Sequence, residues 1–576
     1  MNTHIKVAAV QFEPTLFEKE RNLERLEKLV EQAAREGAHL IVTPEMGTTG
    51  YCWQDREEVA PYVEAIPGAT TERFGRLARE YGCHIVIGMP EVDPVDELYY
   101  NAAVLIGPQG VVGTHRKTHP YISEPKWAAN GDLGHQVFDT PIGRIALLVC
   151  MDIHFVETAR LAGLGGADVI CHISNWLAER TPAPYWINRA FENGCYLVEA
   201  NRWGAERGVQ FSGGSCVIEP DGTLQGSLDK GDGVLHGTLD LSRVRDRQPG
   251  LLAARRPALY KELANPSYTW NPLDFFGLYG LSPRAKGKQS KVAVGQFAPT
   301  TDTASNLRTL AEQATAAKAQ GAELVVFPEL ALSGPYVDAA SALRLDGPQV
   351  SAVLNLAIEL RLHIVAGLVL AEGDAVFNSA VVVGPEGIVG HYHKLHVSER
   401  DKAWATPGQR WQTLDLPLGR VGLLIGEDCL VPEAARVLAL RGCDLIACPA
   451  ALAAPLPGAH GGTAIAHPAP IPTGADPYHW HLGRVRAGEN NLYLALANSL
   501  DPHTGSFGAS GVFGPDTFAF PRQEAIVTRH QGLAVAGIDT SNLDSPYPTN
   551  VVRRKDLVLM RQPHQYRALW QSTAQR

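Results

Sequence analysis

The chain has 576 residues, too many for a single core and suited to two large domains. Apolar residues make up 45% and charged residues 19%, which excludes a disordered chain. A formal net charge of −10 argues against nucleic acid or an anionic membrane surface as the main partner.

At the N-terminus only Val7 to Val10 forms an apolar run, too short for a signal peptide, and no later stretch approaches the length of a membrane span. The nine cysteines lie singly, without metal-ligand spacing or the density of a disulfide framework. Together these predict a reduced, cytoplasmic protein.

In chain order, a short apolar strand precedes a helix in which Leu23, Leu26, Leu29, Val30, Ala33 and Ala34 recur at helical spacing, stopped by Gly37. A buried strand over Leu40 to Thr43, a helix over Thr71 to Tyr81 and a strand over His84 to Gly88 follow. This alternation is of the α/β class. Ser215 to Ile218, closed by Pro220-Asp221-Gly222, reads as a hairpin, so the sheet is expected to be mixed.

The same pattern then begins again. Lys291-Val-Ala-Val-Gly-Gln-Phe-Ala-Pro299 repeats Lys6-Val-Ala-Ala-Val-Gln-Phe-Glu-Pro14, and Leu324-Val-Val-Phe-Pro-Glu329 repeats Leu40-Ile-Val-Thr-Pro-Glu45. The repeat predicts two fused copies of one domain, at 1–265 and 290–565, with 266–289 as a linker. Within that linker Tyr268, Trp270, Phe275, Phe276 and Tyr279 favour packing, and only Ser282 to Ser290 has the composition of a flexible tether. Between Ile446 and Asn490 the second copy carries an insertion rich in Ala, Pro and Gly, because the offset between copies rises from 276 to 297 residues. It is expected to form a loop over a vacant pocket.

Glu45, Lys117, Glu124 and Cys150 stand at or after the ends of apolar strands, where reactive side chains converge in α/β sheets. Singly, each has an ordinary structural role: a helix cap, an exposed charge, a small buried hydrophobe. Glu45 and Lys117 recur, however, as Glu329 and Lys394, whereas Cys150 is matched by Gly426 and Glu124 by Asp401, with Glu399 nearby. One copy can carry a thiol nucleophile at that place and the other cannot. Cys429, three residues on, is too far along a helix to be expected to replace it. His460, His467, His479 and His481 lie at irregular spacing in a Pro-rich loop and are read as solvated rather than as metal ligands.

Pro44-Glu45-Met-Gly-Thr-Thr-Gly-Tyr51, Arg116-Lys117-Thr-His119 and Val149-Cys150-Met-Asp152-Ile-His-Phe155 resemble the three catalytic blocks of the nitrilase superfamily of carbon-nitrogen hydrolases. Arg189-Ala-Phe-Glu192-Asn193 and Ala200-Asn201-Arg202 resemble its downstream structural motif. The resemblance implies an αββα sandwich in each half and no metal or organic cofactor. It makes Cys150 the nucleophile, Glu45 the general base, Lys117 the cation beside the oxyanion and Glu124 an accessory carboxylate that positions substrate and base. Met151, Asn175 and Trp176 are assigned to substrate binding, and Trp53, Trp176 and Trp203 wall an acyl pocket or pack the core. Glu329, Lys394 and Gly426 mark a degenerate second site.

The implied reaction is hydrolysis of a small amide or N-carbamoyl compound through a cysteine thioester, with Lys117 expected to favour the thiolate. Cys150-Met-Asp152 resembles the amidase and carbamoylase branches, which leaves nitrile hydrolysis as one alternative and a non-catalytic binding or assembly protein as another. By family analogy the second copy stands in for a partner subunit, giving an intrachain pseudo-dimer, with a further homo-oligomer left open.

Overall fold

The computed structural model describes residues 3–571 apart from 178, 267–285, 335–341, 454–460, 468–480, 502–504, 517–518, 520–521 and 542–548. The chain forms two compact units, Met1–Ala254 with Pro457–Pro477, and Arg255–Leu456 with Tyr478–Arg576.

The first unit contains two six-stranded sheets and a small hairpin. Its strands are β1 His4–Gln11, β2 Leu40–Val42, β3 His84–Val92, β4 Tyr99–Gly107, β5 Gly110–Arg116, β6 Val137–Thr140, β7 Gly143–Val149, β8 Val169–Ser174, β9 Tyr196–Asn201, β10 Trp203–Glu206, β11 Val209–Ser212, β12 Cys216–Ile218, β13 Leu224–Ser227 and β14 Gly233–Asp240. One sheet runs β14-β1-β2-β3-β4-β5, the other β13-β12-β9-β8-β7-β6, and β10 pairs with β11. β1, β2 and β3 are parallel, as are β7, β8 and β9, and the flanking strands are antiparallel, so both sheets are mixed. The sheets face each other, with β1 and β2 against β9 and β4 and β5 against β7.

Helices α1 Lys19–Arg35 and α2 Ala69–Tyr81 cover the outer side of the first sheet, and α3 Val156–Leu164 and α4 Pro184–Asn193 flank the second. The periodic residues read from the sequence explain the seating of α1: Leu23, Leu26, Val30, Ala33 and Ala34 are all buried, in one cluster with Val10, Ile41, Phe74 and Ile85. α2 stops where Gly82 turns left-handed at φ +64°. The result is a four-layer α/β sandwich.

The second unit repeats the design. One sheet runs in the order Gly387–His393, Ala375–Gly384, His363–Glu372, Leu324–Val326, Gln289–Gln296 and Gly532–Asp539. The other runs Thr413–Leu416, Gly419–Leu423, Leu445–Ala450, Tyr493–Asn498, Gly511–Phe513 and Ala525–Ile526. Among the described residues, no helix is long and apolar enough to cross a membrane.

Two boundaries differ from the sequence expectation. The first copy was expected to run to residue 265, yet 255–265 pack with the second unit: Arg255 Nε donates to Glu433 Oε1 at 2.6 Å, and Tyr260 hydroxyl meets His396 Nε2 at 2.6 Å. A repeat records ancestry, whereas these side chains go where partners exist. Most of the expected linker, including its aromatics, lies outside the described residues, and Gln289, its last position, already belongs to a strand.

The insertion also departs from its expected place. Its described part, 461–467, lies on the first unit. Thr463 N donates to Thr181 O at 3.0 Å, Ala464 N to Asp229 Oδ1 at 2.7 Å, and Arg180 Nη1 to the carbonyls of Thr463 and Ile465 at 2.6 and 2.7 Å. Thr463 and Ile465 are buried there. Of the four histidines read as solvated, His460 and His479 fall outside the described residues, and His467 is partly buried near Arg180.

Candidate active site

The parallel arrangement brings the ends of distant segments together. β2 leads into Glu45, β5 into Lys117, β7 into Cys150 and β8 into Asn175, all at one end of the facing sheets. The close fit of β3 beneath the Glu45 turn depends on Gly88, where a Cβ would stand 2.7 Å from Glu45 Cα. Gly367 does the same beneath Glu329, at 2.6 Å.

Lys117 Nζ donates to Glu45 Oε1 at 2.8 Å and to Glu124 Oε2 at 2.5 Å, with all three groups buried. Asn101 bridges the two carboxylates, its Nδ2 donating to Glu45 Oε1 at 2.7 Å and Glu124 Oε1 at 2.6 Å. Glu45 Oε2 accepts from Asn175 N at 2.7 Å, and Glu45 O from Asn175 Nδ2 at 3.1 Å. Glu124 Oε2 also accepts from Tyr121 N at 2.6 Å and Tyr51 hydroxyl at 3.2 Å. Burial alone would lower the Lys117 pKa, but Glu124 and Glu45 outweigh it and hold the ammonium charged well above its usual range. Burial raises Glu124 against the pull of Lys117.

Cys150 opens a 3-10 turn over Cys150–His154 and takes φ +44°, a left-handed conformation uncommon outside glycine. The turn is held by Asp152, whose Oδ1 accepts from Thr118 N, Thr118 Oγ1 and His119 N at 3.0, 2.7 and 3.1 Å, while Oδ2 accepts from Val149 N at 3.2 Å and meets His115 Nε2 at 2.8 Å. This network ties the segment after Lys117 to the segment after Cys150. On the opposite side His172 Nε2 meets Cys150 O at 3.0 Å, and Glu199 holds the other ring nitrogen.

Sequence reasoning expected Lys117 to favour the thiolate. Lys117 does pull the Cys150 thiol down, but burial, the largest influence, and the Glu45 carboxylate outweigh it and push the thiol above its usual range.

The other candidates are placed as follows. Met151 and Asn175 are buried beside Cys150 and Glu45. Asn175 Oδ1 is buried without a hydrogen-bond partner. Trp176 is buried, donates Nε1 to Glu179 Oε1 at 2.7 Å and stacks on His154 at 4.8 Å. Trp53 packs with Tyr51, Val59 and Trp127, a core role, and Trp203 donates to Asp232 Oδ1 at 2.8 Å. Asn101 was missed, although Tyr100-Asn101-Ala-Ala-Val104 recurs as Phe377-Asn378-Ser-Ala-Val381 and the internal comparison could have found it.

In the second copy Lys394 Nζ donates to Glu329 Oε1 at 2.8 Å and Asp401 Oδ2 at 2.7 Å, and Glu427 also pairs with it. Asn378 Nδ2 donates to Glu329 Oε1 at 2.6 Å and Asp401 Oδ2 at 3.2 Å, as Asn101 does in the first copy. Asp401 thus replaces Glu124, whereas Glu399 is exposed and pairs with Lys402. Gly426 has φ +47°, near that of Cys150, but a Cβ there would lie 2.5 Å from Glu329 Oε2 and 3.2 Å from Lys394 Nζ. The Glu329 carboxylate lies where a side chain at 426 would stand. Cys429 is buried and hydrogen-bonds Cys448, which is the main cause of its lowered pKa, with burial opposing.

A carbon-nitrogen hydrolase family model matches residues 6–248 and again 291–533. The chain belongs to the carbon-nitrogen hydrolase family. Both copies of this carbon-nitrogen hydrolase are therefore recognised, and the chain is a tandem duplication within the nitrilase superfamily. It is 39% identical to a nitrilase from Pyrococcus abyssi over 246 residues, covering 42% of this chain and 93% of that one. It is 30% identical to the human deaminated glutathione amidase, covering 43% and 82%, and to an N-carbamoylputrescine amidase from Solanum lycopersicum, covering 46% and 95%. Among solved structures, an amidase from Nesterenkonia sp. aligns at 27% identity with a TM-score of 0.38, covering 44% of this chain and 97% of that one.

Proposed function

We propose that the first copy hydrolyses a non-peptide carbon-nitrogen bond of a small amide or N-carbamoyl compound through a thioester on Cys150. The observation that carries this reading is the buried Glu45-Lys117-Glu124 group, gathered at the same strand ends that carry Cys150.

Because burial and Glu45 favour the neutral thiol, proton removal accompanies attack. Glu45 takes the thiol proton as Sγ bonds to the substrate carbonyl carbon, and the oxygen becomes an oxyanion. The Lys117 ammonium and backbone N–H groups of the turn after Cys150 stabilise it, at about 3 kcal/mol per donor in comparable sites. Glu45 returns the proton to the departing nitrogen, the carbon-nitrogen bond breaks and the thioester remains. Glu45 then takes a proton from water, whose oxygen attacks the thioester, and the thiol leaves with its proton restored. Asn175 Oδ1, buried and unpaired, supplies an acceptor for a substrate N–H.

Nitrile hydrolysis is the second reading, favoured by the 39% identity to the Pyrococcus nitrilase. One experiment addresses both: ammonia release from a panel of primary amides, N-carbamoyl amines and nitriles, comparing the native chain with Cys150→Ala and Cys429→Ala. Activity lost in Cys150→Ala alone supports the reading, and the substrate turned over selects the branch. Activity that survives Cys150→Ala overturns it, and a native chain inert to the whole panel favours a binding or assembly role.

A further inference from the structure

Besides the residues of the two sites, the second unit gathers Glu372, His391 and His393. The two histidines sit at alternate positions of the strand Gly387–His393 and so share one face. Tyr392, between them, points inward, buried, with its hydroxyl on Asp428 Oδ2 at 2.8 Å. Glu372 ends the strand His363–Glu372 and reaches them across Ala375–Gly384.

We propose that Glu372, His391 and His393 bind a divalent transition-metal ion of the zinc class. Glu372 Oε1 stands 2.9 Å from His391 Nε2 and Oε2 stands 3.4 Å from His393 Nε2, and one ligand atom from each residue lies within 4.8 Å of the others. Ligand atoms bound tetrahedrally at zinc distances are about 3.3 Å apart, so small side-chain shifts seat an ion among them. Two imidazoles and one carboxylate match the donor preference of zinc and its neighbours.

The surroundings orient the ligands. Ser379 Oγ meets His393 Nδ1 at 2.8 Å, which directs Nε2 toward the ion, and the ring stacks on Phe377 at 4.0 Å. The three residues line a cavity of about 500 Å³ together with Phe377, Arg410 and Gln412, so the fourth coordination position opens on space for water or an anion. All three are partly exposed, which gives an ion a path in.

The first copy provides the contrast. The strand pairings place Asp93, Thr114 and Arg116 at the equivalent positions, and there Arg116 fills the place with ion pairs to Glu91 at 2.6 Å and Asp93 at 2.8 Å. A guanidinium cannot ligate a cation. The second copy has ligand-type residues where the first has this ion-pair cluster. The other carboxylate group, Glu329, Asp401 and Glu427, is different, because the Lys394 ammonium already occupies it.

The test is zinc titration of the full-length chain against a chromophoric chelator, beside Glu372→Gln, His391→Ala, His393→Ala and Ser379→Ala. The native chain is expected to hold one more zinc equivalent than each ligand variant, and Ser379→Ala to bind at least about tenfold more weakly. Thermal melts without metal check that the variants fold. Equal zinc uptake by the native chain and folded His393→Ala overturns the proposal and leaves Glu372 as a simple ion-pair partner of the two histidines.

Discussion

Lys117 is held more closely by Glu124, at 2.5 Å, than by Glu45, at 2.8 Å. Glu124 therefore helps to anchor the ammonium beside Glu45. Glu124→Gln keeps the side-chain shape but removes that anchoring charge. The expected result is a fall in kcat of about a hundredfold, comparable to losing one stabilising donor, with a smaller change in KM. Steady-state ammonia release and a circular-dichroism melt separate this from loss of fold.

A second prediction concerns thiol chemistry. Glu45 is the second largest influence raising the Cys150 thiol, after burial. Glu45→Gln removes the negative charge, so more thiolate exists at a given pH. The variant is expected to be inactive yet to be alkylated at Cys150 several-fold faster than the native chain at pH 8. Peptide mapping after iodoacetamide reads the rate, and slower labelling in the variant would contradict the assignment.

The segment 461–467 gives a third. Its bonds to Arg180 and Thr181 lie a few residues from Trp176, held through Glu179, and from Asn175, which orients Glu45. Arg180→Ala removes two charge-assisted hydrogen bonds, each worth about 1.5–3 kcal/mol. Faster amide exchange at 175–181 and at 461–467 is expected, with roughly tenfold lower kcat/KM. Unchanged exchange would mean that the docking does not steady the loop.

Acidity supplies the fourth. Burial, reinforced by Arg189, lowers His154 to about 3 in the folded chain. Below its unfolded pKa of about 6.5, the unfolded state binds a proton that the folded state refuses. This histidine therefore costs stability as pH falls from 6.5 toward 3, about 2 kcal/mol by pH 5. Urea unfolding at pH 7 and pH 5 is expected to show a smaller loss in His154→Gln.

Much of this molecule is legible in the sequence because its decisive signals are local and repeated. Leu23, Leu26 and Val30 announce their burial through spacing, and Glu45 and Lys117 stand out because Glu329 and Lys394 repeat them. The less legible features depend on meetings across space. Asn101 looks like an interior strand residue until its amide is seen between two carboxylates. The balance at the Cys150 thiol between burial and three charges is something no motif records. The docking of 461–467 rests mainly on backbone groups, which carry no sequence signature.

Glu329 reaches into the space beside Gly426, where any side chain would have to displace it. A cysteine written at 426 would set its Cβ 2.5 Å from Glu329 Oε2, the far end of a flexible side chain, so a thiol there needs only that carboxylate to swing aside.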